Sequence, residues 1–264
     1  MAFSNTELAP HEAYLSSALR LASVFDHTQL HPSVGTAQIS KLCDEAAKYR
    51  FATVCVAPRW TSLAAIKLSE LNSSAVGVCT VIGFPHGNTT TQSKVFEAAQ
   101  ALSDGAAELD MVISIGDLKA GRLDAVRHDI SEVVEAARRR EGKVKVILET
   151  GYLTSAEIAS ACELAESAGA NFVKTSTGFA RTDDPLVLGP VNADPKIVRF
   201  MRESVGPAVQ IKASGGIKTL ADARALLKAG ATRLGSSSSV RIIEEYRETK
   251  GGEHGKERDS RSRR

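Results

Sequence analysis

Residues 171–178 read N-F-V-K-T-S-T-G, and their order places a charge where an apolar strand ends. Phe172 and Val173 favour a strand, whereas Thr175, Ser176, Thr177 and Gly178 are turn formers, so Lys174 stands where a buried strand opens into a polar turn. Taken alone, such a lysine reads as one whose stem lies on the core while its head reaches water. A second stretch changes that reading. V-Q-I-K-A-S-G-G-I (209–217) carries Lys212 to the end of another apolar run and into another small-residue turn. Two lysines at equivalent strand ends suggest one pocket. Their mutual repulsion and their desolvation both favour loss of a proton, leaving an amine able to attack a carbonyl. The chemistry expected is a Schiff base.

Apolar runs of strand length recur through the chain, at 24–26, 51–57, 75–84, 108–113, 143–150, 171–174, 208–212 and 232–235. Between them lie segments rich in Ala, Leu, Glu and Lys, at 36–49, 60–71, 91–102, 123–137, 155–168, 195–203 and 220–229, several ending near Gly. Strand and helix in alternation, with eight strands over about 250 residues, predict an α/β fold of the (β/α)8 TIM-barrel type. A doubly wound open sheet is the rival, but no G-x-G-x-x-G follows the first strand. Leu8, Tyr14, Leu15, Ala18, Leu19 and Ala22 fall at helical spacing and predict an extra N-terminal helix over 7–22. The expected organisation is one barrel domain over 1–248 and a disordered basic tail over 249–264.

The 264 residues are 43% hydrophobic and 24% charged, ordinary for a soluble globular protein. No apolar run is long enough to span a bilayer and the N-terminus lacks the pattern of a signal peptide, so a cytoplasmic protein without a membrane contact is expected. The formal charge is +2, but residues 249–264 hold six Lys/Arg against three Asp/Glu, leaving the rest of the chain at −1. That balance argues against a nucleic-acid partner for the folded part. The four cysteines are scattered, without C-x-x-C, and read as reduced thiols. His27 and His31 lack the Glu of H-E-x-x-H, so no metal is expected.

In a TIM barrel the C-terminal strand ends converge on one mouth. Asp26 and His27 after the first strand, Cys55 in the second, Asp110 in the fourth and Glu149 after the fifth would join Lys174 and Lys212 there. Asp26 also reads as a turn cap, Cys55 as a small core residue and Glu149 as a partner for a surface lysine. Asp110 is different, because L-D-M-V-I sets a carboxylate inside an apolar strand, where an unpaired charge is costly. Lys212 or Lys174 is its natural partner. Ser214-Gly215-Gly216 after the seventh strand and Gly235-Ser236-Ser237-Ser238-Ser239 after the eighth read as a phosphate cradle of backbone N–H groups and a helix N-terminus, or as flexible serine turns.

D-H-T (26–28), V-C-V (54–56), E-L-D-M-V (108–112), K-T-S-T-G (174–178), K-A-S-G-G-I (212–217) and R-L-G-S-S-S (233–238) occur in the order seen in the deoxyribose-phosphate aldolase family, which residues 21–246 resemble. The resemblance implies a class I aldolase without metal or other cofactor. It would reversibly cleave 2-deoxy-D-ribose 5-phosphate to acetaldehyde and D-glyceraldehyde 3-phosphate. It implies that Lys174 is the Schiff-base lysine, that Lys212 perturbs it, and that Asp110 belongs to the proton relay. Gly215, Gly216, Gly235, Ser237 and Ser238 match the phosphate cradle, and Asp26, Thr28, Cys55 and Thr177 match other pocket residues. Three features depart: Phe179 where some members carry lysine, a long 180–195 segment, and the basic tail. The implied partner is a small phosphosugar, with a homo-oligomer left open. The alternatives are another Schiff-base phosphosugar aldolase, a phosphosugar isomerase barrel and a non-catalytic phospholigand-binding barrel.

Overall fold

In the computed structural model, which describes residues 10–249, eight parallel strands close into a barrel in sequence order. They are β1 Phe25–Gln29, β2 Thr53–Val56, β3 Gly77–Ile82, β4 Glu108–Val112, β5 Lys143–Ile147, β6 Phe172–Lys174, β7 Gln210–Ser214 and β8 Arg233–Ser236. Each connection carries a helix, so the predicted (β/α)8 architecture is the observed one. The period-two pattern sorts every strand into two faces. Outward residues such as Phe25, Val54, Leu109, Val146, Val173 and Ile211 belong to the main apolar core between strands and helices. Inward residues are of another kind, since Asp26, Thr53, Cys79, Asp110, Lys145 and Lys212 are all buried in the lumen.

The helices cover the outward face by their spacing. Thr36–Tyr49 buries Ile39, Leu42, Cys43, Ala46 and Tyr49, a stripe at i, i+3, i+4, i+7 and i+10. Each large aliphatic side chain so buried contributes about 1.5–3 kcal/mol. Helix starts are marked by side chains that take up free N–H groups. Thr154 and Thr219 form capping boxes with Glu157 and Asp222, and Asp194 accepts from Lys196 N at 2.6 Å ahead of the helix Pro195–Glu203.

The N-terminal segment departs from expectation. One helix over 7–22 is replaced by two short ones, Pro10–Tyr14 and Ala18–Ala22. The break has a cause in two serines: the Ser16 hydroxyl donates to Ala13 O at 2.8 Å, and Ser17 Oγ accepts from Arg20 N at 3.2 Å to cap the second helix. Residues 7–9 and the basic tail from 250 onward lie outside the described residues. No helix among the described residues is long and apolar enough to cross a membrane.

One ionic contact outside the lumen braces β4. Lys94, fully buried, donates to Val112 O at 2.9 Å and pairs with Asp129 Oδ2 at 2.5 Å, while Thr91 donates to Asp129 Oδ1 at 3.0 Å. Removing one partner of a buried pair strands the other charge, at about 3–5 kcal/mol. Lys94→Met should therefore lose about that much unfolding free energy in a urea titration, and adding Asp129→Leu should restore most of it. A loss below about 1 kcal/mol for the single change would show that the pair is not a brace.

Candidate active site

Strand register brings the charged residues together. Asp110 of β4 is the register partner of Lys145 on β5, and Lys174 of β6 is the register partner of Lys212 on β7. All four side chains meet in the lumen. Asp110 Oδ2 accepts from Lys174 Nζ at 2.7 Å and from Lys212 Nζ at 2.6 Å. Its Oδ1 accepts from Lys145 Nζ at 2.9 Å and from the Cys79 thiol at 3.2 Å. Further charges complete the network: Lys212 Nζ lies 2.5 Å from Asp26 Oδ2, while Asp26 Oδ1 accepts from Thr53 at 2.8 Å and from Arg233 at 2.6 Å. Glu108 bridges Lys145 at 2.7 Å and Arg233 at 2.8 Å.

Four cationic groups thus share three carboxylates, and the cluster balances its charge when one amine is neutral. Burial alone would raise the Asp110 carboxyl, but Lys145, Lys174 and Lys212 together outweigh it and hold Asp110 well below the usual carboxylate range. Asp26 is held down in the same way by Lys212, Arg233 and Lys145 against its own burial. Burial would lower Lys212, yet Asp110 and Asp26 outweigh it and push this ammonium above the ordinary lysine range. Lys145 is raised likewise by its carboxylates against burial, Asp110 foremost. Lys145 and Lys212 are therefore fixed cations. Lys174 differs in geometry, since its ion pair is with Asp110 alone and its head faces a cavity.

That cavity has a volume of about 330 Å3, and its lining joins the two lysines to the rim. Of the residues expected at the site, Thr28, Thr177, Gly215, Gly216, Gly235 and Ser237 line it with Lys174 and Lys212. Asp26, Asp110 and Cys55 sit in the buried layer of the lumen instead. The Sγ atoms of Cys55 and Cys79 and a carboxylate oxygen of Asp110 lie within 4.8 Å of one another, but Lys145, Lys174 and Lys212 already hold that carboxylate and would repel a metal cation.

Several residues sit differently from where the sequence pattern put them. Ser238 is outside the cavity lining, and its N–H is taken by Ser236 Oγ at 2.9 Å. Asp26 and His27 lie within β1 rather than after it, and His27 turns to the helix side, 2.9 Å from Glu45 and against the Phe51 ring. Gly235 belongs to β8 rather than to the following loop, and a Cβ there would stand 3.1 Å from Lys212 Cε. Its missing side chain makes room for the lysine. Gly215 and Gly216 have φ of +95° and +70°, and a Cβ on Gly216 would meet Asn192 at 2.6 Å, so the 180–195 segment packs over this turn.

The sequence reading missed Lys145, Glu108, Arg233, Cys79 and Lys218. Period two contained a signal for some of them: in K-V-K-V-I, Val144 and Val146 face the helices and leave Lys145 inside, and E-L-D sets Glu108 on the same face as Asp110. Lys218 follows the glycine pair at the rim, exposed, with its carbonyl held by Arg241 Nε at 3.0 Å.

A closed barrel with a carboxylate-linked lysine pair at its mouth defines a lysine-centred barrel enzyme. Residues 20–241 match the DeoC/LacD family aldolase description, and the chain belongs to that family. A deoxyribose-phosphate aldolase from Thermococcus gammatolerans is 53% identical over 224 residues, 85% of this chain and 95% of the relative. One from a Thermoanaerobacter species is 47% identical over 233 residues, 88% of this chain and 99% of the relative. Among solved structures, the tetrameric deoxyribose phosphate aldolase of Aeropyrum pernix superposes with a TM-score of 0.80 at 31% identity, covering 90% of this chain and 95% of the other.

Because Gly235 backs onto Lys212, Gly235→Val should displace that lysine and cut aldol turnover at least about tenfold on charged and uncharged substrates alike. A loss confined to phosphorylated substrates in steady-state kinetics would instead assign Gly235 to phosphate binding only.

Proposed function

We infer that this chain is a class I deoxyribose-phosphate aldolase that works through an imine on Lys174. The observation that carries the reading is the shared Asp110 Oδ2, which sets Lys174 beside a fixed cation on the floor of a cavity rimmed by Gly215, Gly216 and Lys218. A neutral Lys174 attacks C1 of 2-deoxy-D-ribose 5-phosphate, and the carbinolamine loses water to give an iminium ion. Products of two and three carbons fix the bond that breaks as C2–C3. Its electron pair moves into the iminium as the C3 hydroxyl gives up its proton, which releases D-glyceraldehyde 3-phosphate and leaves an enamine. Protonation at C2 and hydrolysis then yield acetaldehyde and free Lys174. Asp110 with Lys212 would guide proton movement at the carbinolamine and C3-hydroxyl stages through a water, a reading supported by the hydrogen bonds that both lysines make to Asp110 Oδ2. Thr28 would shape the pocket around the reacting carbons, with Cys55 and Asp26 in the buried layer of the lumen.

The phosphate end is assigned to the rim. Phe179 supplies no charge, whereas Lys218, two residues after Gly216, and Ser237 stand on the same cavity lining and would offer an ammonium and a hydroxyl to a dianion. The family assignment and the relatives' shared name support the substrate class.

Reduction with borohydride in the presence of acetaldehyde should leave a stable ethyl adduct, and peptide mass spectrometry should place it on Lys174. An adduct solely on Lys212 would overturn the assignment, and failure of trapping would favour a barrel that needs no imine, such as an isomerase. Lys218→Ala should weaken the phosphosugar by roughly tenfold in kcat/KM, the size of one charge-assisted hydrogen bond, and less at high salt because the group is exposed. Unphosphorylated 2-deoxyribose should be nearly indifferent to the change. Equal losses on the two sugars would place Lys218 outside the phosphate site.

A further inference from the structure

Glu149 is held in an unfavourable state that the reaction described above does not explain. It follows β5 with φ 56° and ψ 61°, the left-handed region that costs a non-glycine residue of order 1 kcal/mol or more. Among the described residues three other non-glycine residues have positive φ, Arg50, Asn72 and Glu141, and all are exposed. Glu149 is 2% exposed, and its Oε1 has no hydrogen-bond partner. Strain, burial and an unpaired oxygen all oppose this arrangement.

The opposing gain is concentrated on one residue. Glu149 Oε2 accepts both the Thr177 backbone N–H, at 3.1 Å, and the Thr177 hydroxyl. The Thr177 oxygen in turn accepts from Phe179 N at 3.0 Å. The backbone around Glu149 is tied to the same turn, since Leu148 N donates to Lys174 O at 2.9 Å and Thr150 N to Thr175 O at 3.0 Å. Thr177 and Phe179 both line the Lys174 cavity, and Phe179 stands edge-on to Phe84 with ring centroids 5.3 Å apart. One carboxylate therefore fastens the turn that shapes the space beside the reactive lysine.

We propose that Glu149 is a positioning residue for the aldol reaction, whose ionised carboxylate fixes the Thr177–Phe179 turn and acts on the substrate only through Thr177. This rests on the imine chemistry assigned to Lys174. The charge state of the group matters because a carboxylate accepts the two Thr177 bonds more strongly than a neutral acid does. Burial raises this carboxyl above its ordinary range, and the bonds from Thr177 and the charges of Lys174 and His86 oppose that rise without cancelling it. Tyr152 and Asp184 line a second cavity together with Glu149, on the other side of Thr177 and Phe179 from Lys174, and there the Tyr152 hydroxyl donates to Asp184 Oδ2 at 3.0 Å.

The raised value fixes two signs. As pH falls through it, the turn loosens and kcat/KM drops, at a pH above the usual carboxylate range. The effect on stability runs the other way: the folded state binds this proton more tightly than the unfolded one, so the group's stabilising contribution is complete below the unfolded value and is lost as pH rises through the folded one. A neutral isostere should then cost activity without costing stability at neutral pH, which a purely structural residue would not do.

The test is a cycle of Glu149→Gln, Thr177→Val and the double variant, read by kcat/KM against pH, by thermal midpoint and by amide exchange of the peptide spanning 175–179. Glu149→Gln should lose roughly tenfold in kcat/KM at neutral pH, flatten the acid limb, leave the midpoint unchanged or higher, and speed exchange at Thr177 and Phe179. In the Thr177→Val background the same change should cost less than about threefold. Additive losses, an unaltered acid limb or unaltered exchange overturn the proposal. Should Glu149→Gln not fold, the wild-type profile decides, since the absence of an acid limb above the ordinary carboxylate range contradicts it. Exchange is read without turnover, so a failure of the imine assignment, detected by borohydride trapping on the wild-type chain, is distinguishable from a failure here.

Discussion

Asp110 holds three lysines from three different strands on its two oxygens, and the barrel interior is arranged around that fact. A buried carboxylate costs several kcal/mol to desolvate, and so does each ammonium it meets. Attraction offsets those costs only at hydrogen-bond distance, which demands that β4, β5, β6 and β7 present their side chains at fitted heights. Register supplies this, because Asp110 and Lys145 are partners across one strand pair and Lys174 and Lys212 across another. A one-residue slip in any of these strands would turn its charge to the apolar helix layer. Fold and reactive centre are therefore specified by the same constraint, and the usual apolar layers of a barrel interior give way here to a closed ionic network.

The same network explains what could be read from the chain. Lys174 and Lys212 were legible because each ends an apolar run and begins a turn, a local pattern that needs no knowledge of partners. Asp110 was legible because a carboxylate inside L-D-M-V-I is locally anomalous. Lys145 was not, since K-V-K-V-I looks like a strand entering from solvent with ordinary surface lysines. Its burial is decided by which face the strand turns inward, and Asp26 and Glu108 reach it from β1 and β4. Arg233 was hidden for a similar reason, as its partners come from β1 and β4. Long-range pairs leave no trace in local spacing.

Errors of the opposite kind came from treating small residues as loop signals. Gly235 reads as part of a glycine-serine turn, yet its lack of a side chain serves Lys212 from within β8. The serine run after it reads either as part of a phosphate cradle, through Ser237 and Ser238, or as serine turns, and Ser236 spends its hydroxyl on Ile217 O at 2.7 Å and also receives the N–H of Ser238. Ser237 is left as the exposed member. Serines satisfy backbone groups wherever a helix begins, so a run of them marks a helix start as readily as a binding site.

The mouth itself is divided by charge. On one side of Thr177 and Phe179 lie Lys174, Lys212 and Lys218, and on the other Glu149 and Asp184 share a second cavity of about 280 Å3 with His86 and Tyr152. A phosphate dianion would be favoured on the first side and disfavoured on the second. Phe179 stands on the boundary, where a lysine would bring a cation between the two sides and near the Glu149 carboxylate. An aromatic ring packed on Phe84 keeps that boundary uncharged and leaves the rim cation at Lys218, next to the glycine turn. On the proposed reaction, separating the two signs in this way would let the anionic end of a substrate select its side of the mouth before its aldehyde meets Lys174, so that orientation would come from the field rather than from a contact at position 179.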